Sequence, residues 1–118
     1  MPTLLAVVRL DALSAIPFWA IEGDGFFSIT RTQDEVSVVC PEEKVPQDVK
    51  VEKGWQSLKV EGPLDFGLTG ILSSLTQPLA EAKISIFAIS TFDTDYIMIK
   101  KENFQKAISI LSTFCKIR

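Results

Sequence analysis

Apolar residues recur along this chain in short bursts, most of them of strand length, separated by turn-forming and charged residues. Leu4, Leu5, Ala6, Val7 and Val8 form a run closed by the charges of Arg9 and Asp11, which predicts a first strand. Pro17 precedes Phe18, Trp19, Ala20 and Ile21, and Glu22-Gly23-Asp24-Gly25 follows at once, so only a turn or a single helical turn fits there. Phe26-Phe27-Ser28-Ile29-Thr30 and Val36-Ser37-Val38-Val39 flank the polar Thr32-Gln33-Asp34-Glu35, the pattern of a β-hairpin. Pro41 and Pro46 bracket a loop, and Val49-Lys50-Val51 reads as a fourth, edge strand.

The second half opens on a strand at Trp55-Gln56-Ser57-Leu58-Lys59-Val60, broken by Gly62-Pro63-Leu64-Asp65-Phe66-Gly67. Ile71, Leu72, Leu75 and Leu79 then fall at helical spacing, with Thr69 as N-cap. Pro78 removes a donor inside that pattern, which predicts a kink or a boundary between helical segments. Residues 85–90 and 96–100 form a second hairpin around Phe92-Asp93-Thr94-Asp95. Phe104, Ala107, Ile108, Leu111 and Cys115 mark one face of a final helix, with Glu102 placed to meet its positive N-terminal dipole, and Lys116-Ile117-Arg118 has the length of a short last strand.

The two hairpins repeat one another at an offset of 60 residues: strand, acidic turn, strand. The first copy has no room for a full helix between its first two strands, and the second has. The chain therefore reads as a degenerate copy at residues 1–53 followed by a complete one at 54–118, in an α+β class of antiparallel sheets with helices on one face. The complete copy runs β-α-β-β-α with the short last strand, the split β-α-β or ferredoxin-like plan. Its hairpin strands are apolar at both parities, as at Ile86 and Phe87 or Tyr96 and Ile97. Such a sheet needs cover on both faces, which predicts helices on one side and another copy or subunit on the other, most simply as a homodimer.

Composition narrows the function. Of 118 residues, 47% are apolar and 23% charged, enough for one packed core and too apolar for disorder. Twelve basic residues against fifteen acidic ones, with no basic cluster, argue against nucleic acid as a partner. No apolar stretch approaches the roughly 20 residues that span a bilayer, and the N-terminus lacks the pattern of a signal peptide, so the expectation is a cytoplasmic protein without a membrane partner. The chain contains no histidine, which removes Ser-His and Cys-His nucleophile pairs and the commonest proton shuttle near neutral pH. Cys40 and Cys115 stand alone and read as small buried apolar residues; neither metal ligation nor a phosphate cradle has a motif, and no cofactor is expected.

These segments resemble the ACT domains, specifically the tandem type of small bacterial ACT proteins and of the animal cytosolic arginine sensor. The resemblance is carried by Pro17-Phe18-Trp19-Ala20, by Phe27 to Thr32 with Glu35 to Pro41, and by Gly54-Trp55 onward. That last block includes Glu61-Gly62-Pro63-Leu64-Asp65-Phe66-Gly67-Leu68-Thr69-Gly70-Ile71-Leu72, Pro78-Leu79-Ala80 and Ile86 through Asp95. Phe114-Cys115 stands where members of this type often have a glycine before the final strand.

The resemblance implies two ACT-type repeats and a regulatory module without catalytic activity, binding a free amino acid or similar metabolite at an interface between repeats and acting on a partner protein. It places the ligand against the first strand-to-helix loop of the complete repeat, with Gly62, Asp65, Phe66, Gly67, Thr69 and Gly70, and against the neighbouring strand end, with Ser90, Thr91, Phe92, Asp93 and Asp95. Backbone N–H groups near Thr69 and Gly70 suit a carboxylate, and Asp65, Asp93 or Asp95 suits an ammonium or guanidinium. Each residue also has a plainer reading: Gly62 and Gly67 permit a turn, Asp65 and Asp95 cap turns, Phe66 and Phe92 pack in the core, and Glu61, Asp34 and Glu35 are solvated. A module that keeps the interface and has lost its ligand is the competing function.

Overall fold

The computed structural model describes residues 3–60 and 77–111. The chain divides into two compact units, Pro2–Trp55 and Gln56–Arg118. The first contains strands β1 (Leu5–Leu10), β2 (Ser28–Arg31) and β3 (Val36–Pro41), the one-turn helix α1 (Phe18–Ile21), a 3-10 turn at Glu42–Lys44, and the start of β4 (Lys50–Val60). Its strands lie in the order β2-β3-β1-β4, and each neighbouring pair is antiparallel.

Alternation along β1 and β3 builds the first core. Val8 is paired with Val38, and both point with Val36 and Cys40 toward the buried Ala20 of α1. Trp19, Ile16, Ile29, Val45, Val49 and Val51 pack around them. Helix α1 is a single turn because Pro17 holds extended geometry before it and Gly23, at φ +82°, follows it, while the Glu22 N–H closes the turn on the Phe18 carbonyl at 3.1 Å. With so little helix, loop carbonyls need other partners, and long cations supply them. The Arg31 guanidinium donates to the Ala12 and Ser14 carbonyls, Lys44 Nζ donates to the Glu22 carbonyl, and Arg9 donates to the Asp34 carbonyl at 3.1 Å.

Strand β4 corrects one expectation from the sequence. The segment around Val51 and the one beginning at Trp55 are a single strand, not an edge strand and a separate later one, and β4 neighbours both β1 and β6. Val7 faces Glu52 and Leu5 faces Trp55, so three residues of β4 advance against two of β1. This is a β-bulge, and Gly54 occupies it at φ +85°. Its N–H donates to Glu42 Oε2 at 2.9 Å, which satisfies a donor that the shifted ladder would leave open. Gly54 thus bends the strand without ending it. Val51 packs against the first core, and Leu58 belongs to the second.

In the second unit the rest of β4 is followed by a helical segment at 77–81 (α2), β5 (Ile86–Ser90), β6 (Asp95–Lys100), a 3-10 turn at Lys101–Asn103 and α3 (Phe104–Leu111). The strand order is β4-β6-β5. Leu58, Leu79, Ile84, Ile97, Ile99, Ala107 and Leu111 form the core, with Phe104 and Ile108 packed on it, so the expected face of the last helix is the buried one; Cys115 and residues 116–118 lie outside the described residues. Glu102 belongs to the 3-10 turn before α3 and not to the helix. Ile97, Met98 and Ile99 are all buried in sequence, as strands apolar at both parities require.

Helix α2 ends in a Schellman turn. Ile84 N–H bonds the Leu79 carbonyl and Lys83 N–H bonds the Ala80 carbonyl, both at 2.9 Å, with Lys83 in left-handed geometry at φ 62°. Ile84 and Leu79 meet in the core, the apolar contact that accompanies this motif. Pro78 is helical and its carbonyl accepts the Ala82 N–H at 3.1 Å; the expected kink concerns residues before 77, outside the described ones.

The two hairpins match at an offset of 59 and not 60. Arg31 pairs with Val36 to close the turn 32–35, and Ser90 pairs with Asp95 to close the turn 91–94. The 3-10 turns Glu42–Lys44 and Lys101–Asn103 keep the same offset. One residue matters here because strand side chains alternate, and the corrected offset pairs Val38 with Ile97 and Cys40 with Ile99, all of them core residues.

A Cβ on Gly54 would meet nothing within 4 Å, so the cost of replacing it is one of backbone conformation alone. Gly54→Ala should lower unfolding free energy by about 1–2 kcal/mol in urea titration, and Gly54→Asn by clearly less, because Asn tolerates left-handed geometry. Equal losses would mean that the bulge does not persist in solution.

Candidate functional site

Of the expected ligand residues, Gly62, Asp65, Phe66, Gly67, Thr69 and Gly70 lie outside the described residues. The structure places Ser90, Thr91, Phe92, Asp93 and Asp95 together where β5 turns into β6. Strand pairing brings Ser90 opposite Asp95, and the Ser90 hydroxyl donates to Asp95 Oδ1. Thr91 closes the turn: its N–H bonds the Thr94 carbonyl at 2.8 Å, its hydroxyl donates to the same carbonyl at 3.0 Å, and Thr94 N–H bonds Thr91 Oγ1 at 3.2 Å. The threonine hydroxyl thus adds two hydrogen bonds to the backbone bond that closes the turn.

Phe92 sits at the tip and is 84% exposed, so the core-packing reading of this residue is corrected: a four-residue turn carries its tip away from the sheet. Asp93 is likewise exposed, whereas Asp95 is half-buried beside Ser90. The carboxylate thus keeps one oxygen engaged by a neutral hydroxyl, an arrangement that holds negative charge in place without cancelling it.

The first hairpin has the same turn chemistry, with Thr32 Oγ1 accepting the Asp34 and Glu35 N–H groups at 3.1 and 3.2 Å. Asp34 is exposed, as expected of a solvated residue, and Glu35 is half-buried. Where the second hairpin has Ser90, the first has Arg31, whose guanidinium reaches the Ala12 and Ser14 carbonyls. Sequence reading missed this contact, and the available signal was an arginine as the last residue of a strand, aligned with a serine in the other copy.

An open hollow of about 300 Å³ lies on the outer face of the first sheet, lined by Val7, Arg9, Glu35, Ser37, Lys50 and Glu52 among others. Its two cations and two carboxylates make it a solvated, charge-balanced surface. Among the described residues no group of acidic, cysteine or histidine side chains could hold a metal ion, and no helix is long and apolar enough to cross a membrane. Cys40 is buried in the first core, and desolvation pushes its thiol pKa up, with Lys44 pulling weakly the other way. It is a packing residue held in its neutral form.

Residues 50–113 match the ACT domain family model, and residues 4–48 match a family model described as an N-terminal domain. The human protein named cytosolic arginine sensor for mTORC1 subunit 1 is 30% identical over 94 residues, which make up 73% of this chain and 29% of the sensor. The chain therefore spans under a third of that relative. A crystal structure of an Agrobacterium tumefaciens protein superposes with a TM-score of 0.88 at 43% identity, covering 94% of this chain and 82% of that one. The aspartate kinase of Clostridium acetobutylicum superposes at 0.64 with 13% identity, over 93% of this chain and 32% of the kinase, a likeness of fold.

If Cys40 is a buried neutral thiol, iodoacetamide should modify it in a Cys115→Ser background at least roughly 100-fold more slowly in buffer than in urea, because access requires opening that costs several kcal/mol. Comparable rates in the two conditions would mean an exposed thiolate and would return a nucleophile to consideration.

Proposed function

This chain belongs to the ACT domain family, and on that premise we propose that it is a regulatory module that binds a free amino acid. The binding loop is 62–70, with Gly62, Asp65, Phe66, Gly67, Thr69 and Gly70, together with the strand end at Ser90, Thr91, Phe92, Asp93 and Asp95. The observation that carries this reading is the Ser90–Asp95 pair at the end of β5, a fixed carboxylate at the strand end that ACT-type binding uses. Its negative charge favours cationic or neutral amino acids over acidic ones, because like charges in a partly desolvated site repel. The relative named an arginine sensor supports that class.

The two-repeat organisation, residues 1–53 and 54–118, draws support from the strand orders. The order β2-β3-β1-β4, with α1 between β1 and β2 and a 3-10 turn between β3 and β4, is that of a split β-α-β unit whose helices have dwindled. The order β4-β6-β5 is that of the same unit without a last strand among the described residues. No catalytic role is assigned, in keeping with relatives that are regulators. By analogy with that cytosolic sensor the protein acts in the cytosol on a regulated partner protein, and strands apolar at both parities favour a homodimer.

Thermal melting with arginine, lysine, leucine and glutamate at matched ionic strength tests the proposal, since a ligand at 100 times its Kd adds about 2.7 kcal/mol to a protein it binds only when folded. Arginine or lysine should raise Tm most and glutamate least. Asp95→Asn keeps an acceptor for the Ser90 hydroxyl and should compress that ranking. No shift with any amino acid would leave an interaction module without a ligand, and the largest shift with glutamate would remove Asp95 as a charge-reading residue.

A further inference from the structure

The β1–α1 loop of the first unit is the counterpart, by position, of the proposed binding loop after β4, and a side chain of the chain itself fills it. Ser14 N–H bonds the Asp11 carbonyl at 2.9 Å and closes a tight turn. Leu13 within that turn is 95% exposed, and the carbonyls on either side of it, those of Ala12 and Ser14, both accept from Arg31. The guanidinium uses both terminal nitrogens, Nη1 to Ala12 and Nη2 to Ser14, the latter at 2.7 Å. Two carbonyls matched to two coplanar donors form a cradle specific for a guanidinium, since an ammonium offers only a point of charge.

Arg31 is the last residue of β2, paired with Val36, and its counterpart in the second unit is Ser90, paired with Asp95. A serine cannot reach across a strand-to-helix loop as an arginine does. We propose that the 12–14 loop is a guanidinium site occupied in cis by Arg31, which closes the first unit to free ligand. Resting on the function proposed above, a further consequence is that each chain binds one amino acid, in the second unit, which has Ser90 and not an arginine at the aligned position.

The test uses the full chain and does not depend on the second unit binding anything. Arg31→Ala should lower Tm by several degrees, and millimolar methylguanidinium should restore much of that loss in a saturable way. The same additive should not raise the Tm of the wild type, and methylammonium at equal ionic strength should not rescue the variant. Arg31→Gln, which keeps the stem and an amide, carries the same measurement if Arg31→Ala does not fold. Equal rescue by methylammonium, or equal responses of wild type and both variants to methylguanidinium, would overturn the proposal. A failed amino-acid screen on the wild type together with methylguanidinium rescue of the variant would instead discard the proposed function and keep the cradle.

Discussion

The hydrogen bond from the Gly54 N–H to the Glu42 carboxylate is the contact on which the chain's organisation depends. Odd and even side chains of a strand leave on opposite faces, so one inserted residue exchanges the faces of all that follow it. The bulge inserts one residue, and Gly54 absorbs it in left-handed geometry at φ +85°. The ladder then leaves an amide without its usual acceptor, and Glu42, placed by the 3-10 turn after β3, accepts it. One strand thereby contributes Val51 to the first core and Leu58 to the second.

The two units are stabilised differently. The second unit buries aliphatic residues from α2 and α3 against β6, and apolar contact carries it. The first has one helical turn, and its loops are tied by arginine and lysine donating to backbone carbonyls. Charged donors form stronger bonds than neutral ones, which suits loops that have lost the internal bonding of a helix. Burial is still needed beneath them, and Val8, Val36, Val38 and Cys40 supply it in a small all-apolar layer.

Much of this was legible in the sequence because it rests on alternation and spacing. The two hairpins, the single helical turn after Pro17, the buried Cys40 and the core face of Phe104, Ala107, Ile108 and Leu111 all follow from such patterns. Strand β4 was read as two strands because nothing local joins the apolar runs on either side of Gly54, and the carboxylate that holds the bulge is twelve residues away. The repeat offset was one residue out because the strands are apolar at both parities, so side-chain type alone does not fix register. Phe92 was given a core alternative on hydrophobicity, although its place at a turn tip outweighs that. The tie from Arg31 to the 12–14 loop was missed: an arginine ending a strand marks the position, but no local pattern tells where a long cation will reach.

The first unit is tied by its own arginine, and under the proposed function the second binds a cationic amino acid. Backbone amide resonances followed by NMR during titration with free arginine test this directly. The account requires saturable shifts at residues 61–70 and 90–95 while residues 11–16 and 28–36 stay unchanged. Shifts centred on Ala12, Ser14 and Arg31, or none in the second unit at saturating arginine, would contradict it.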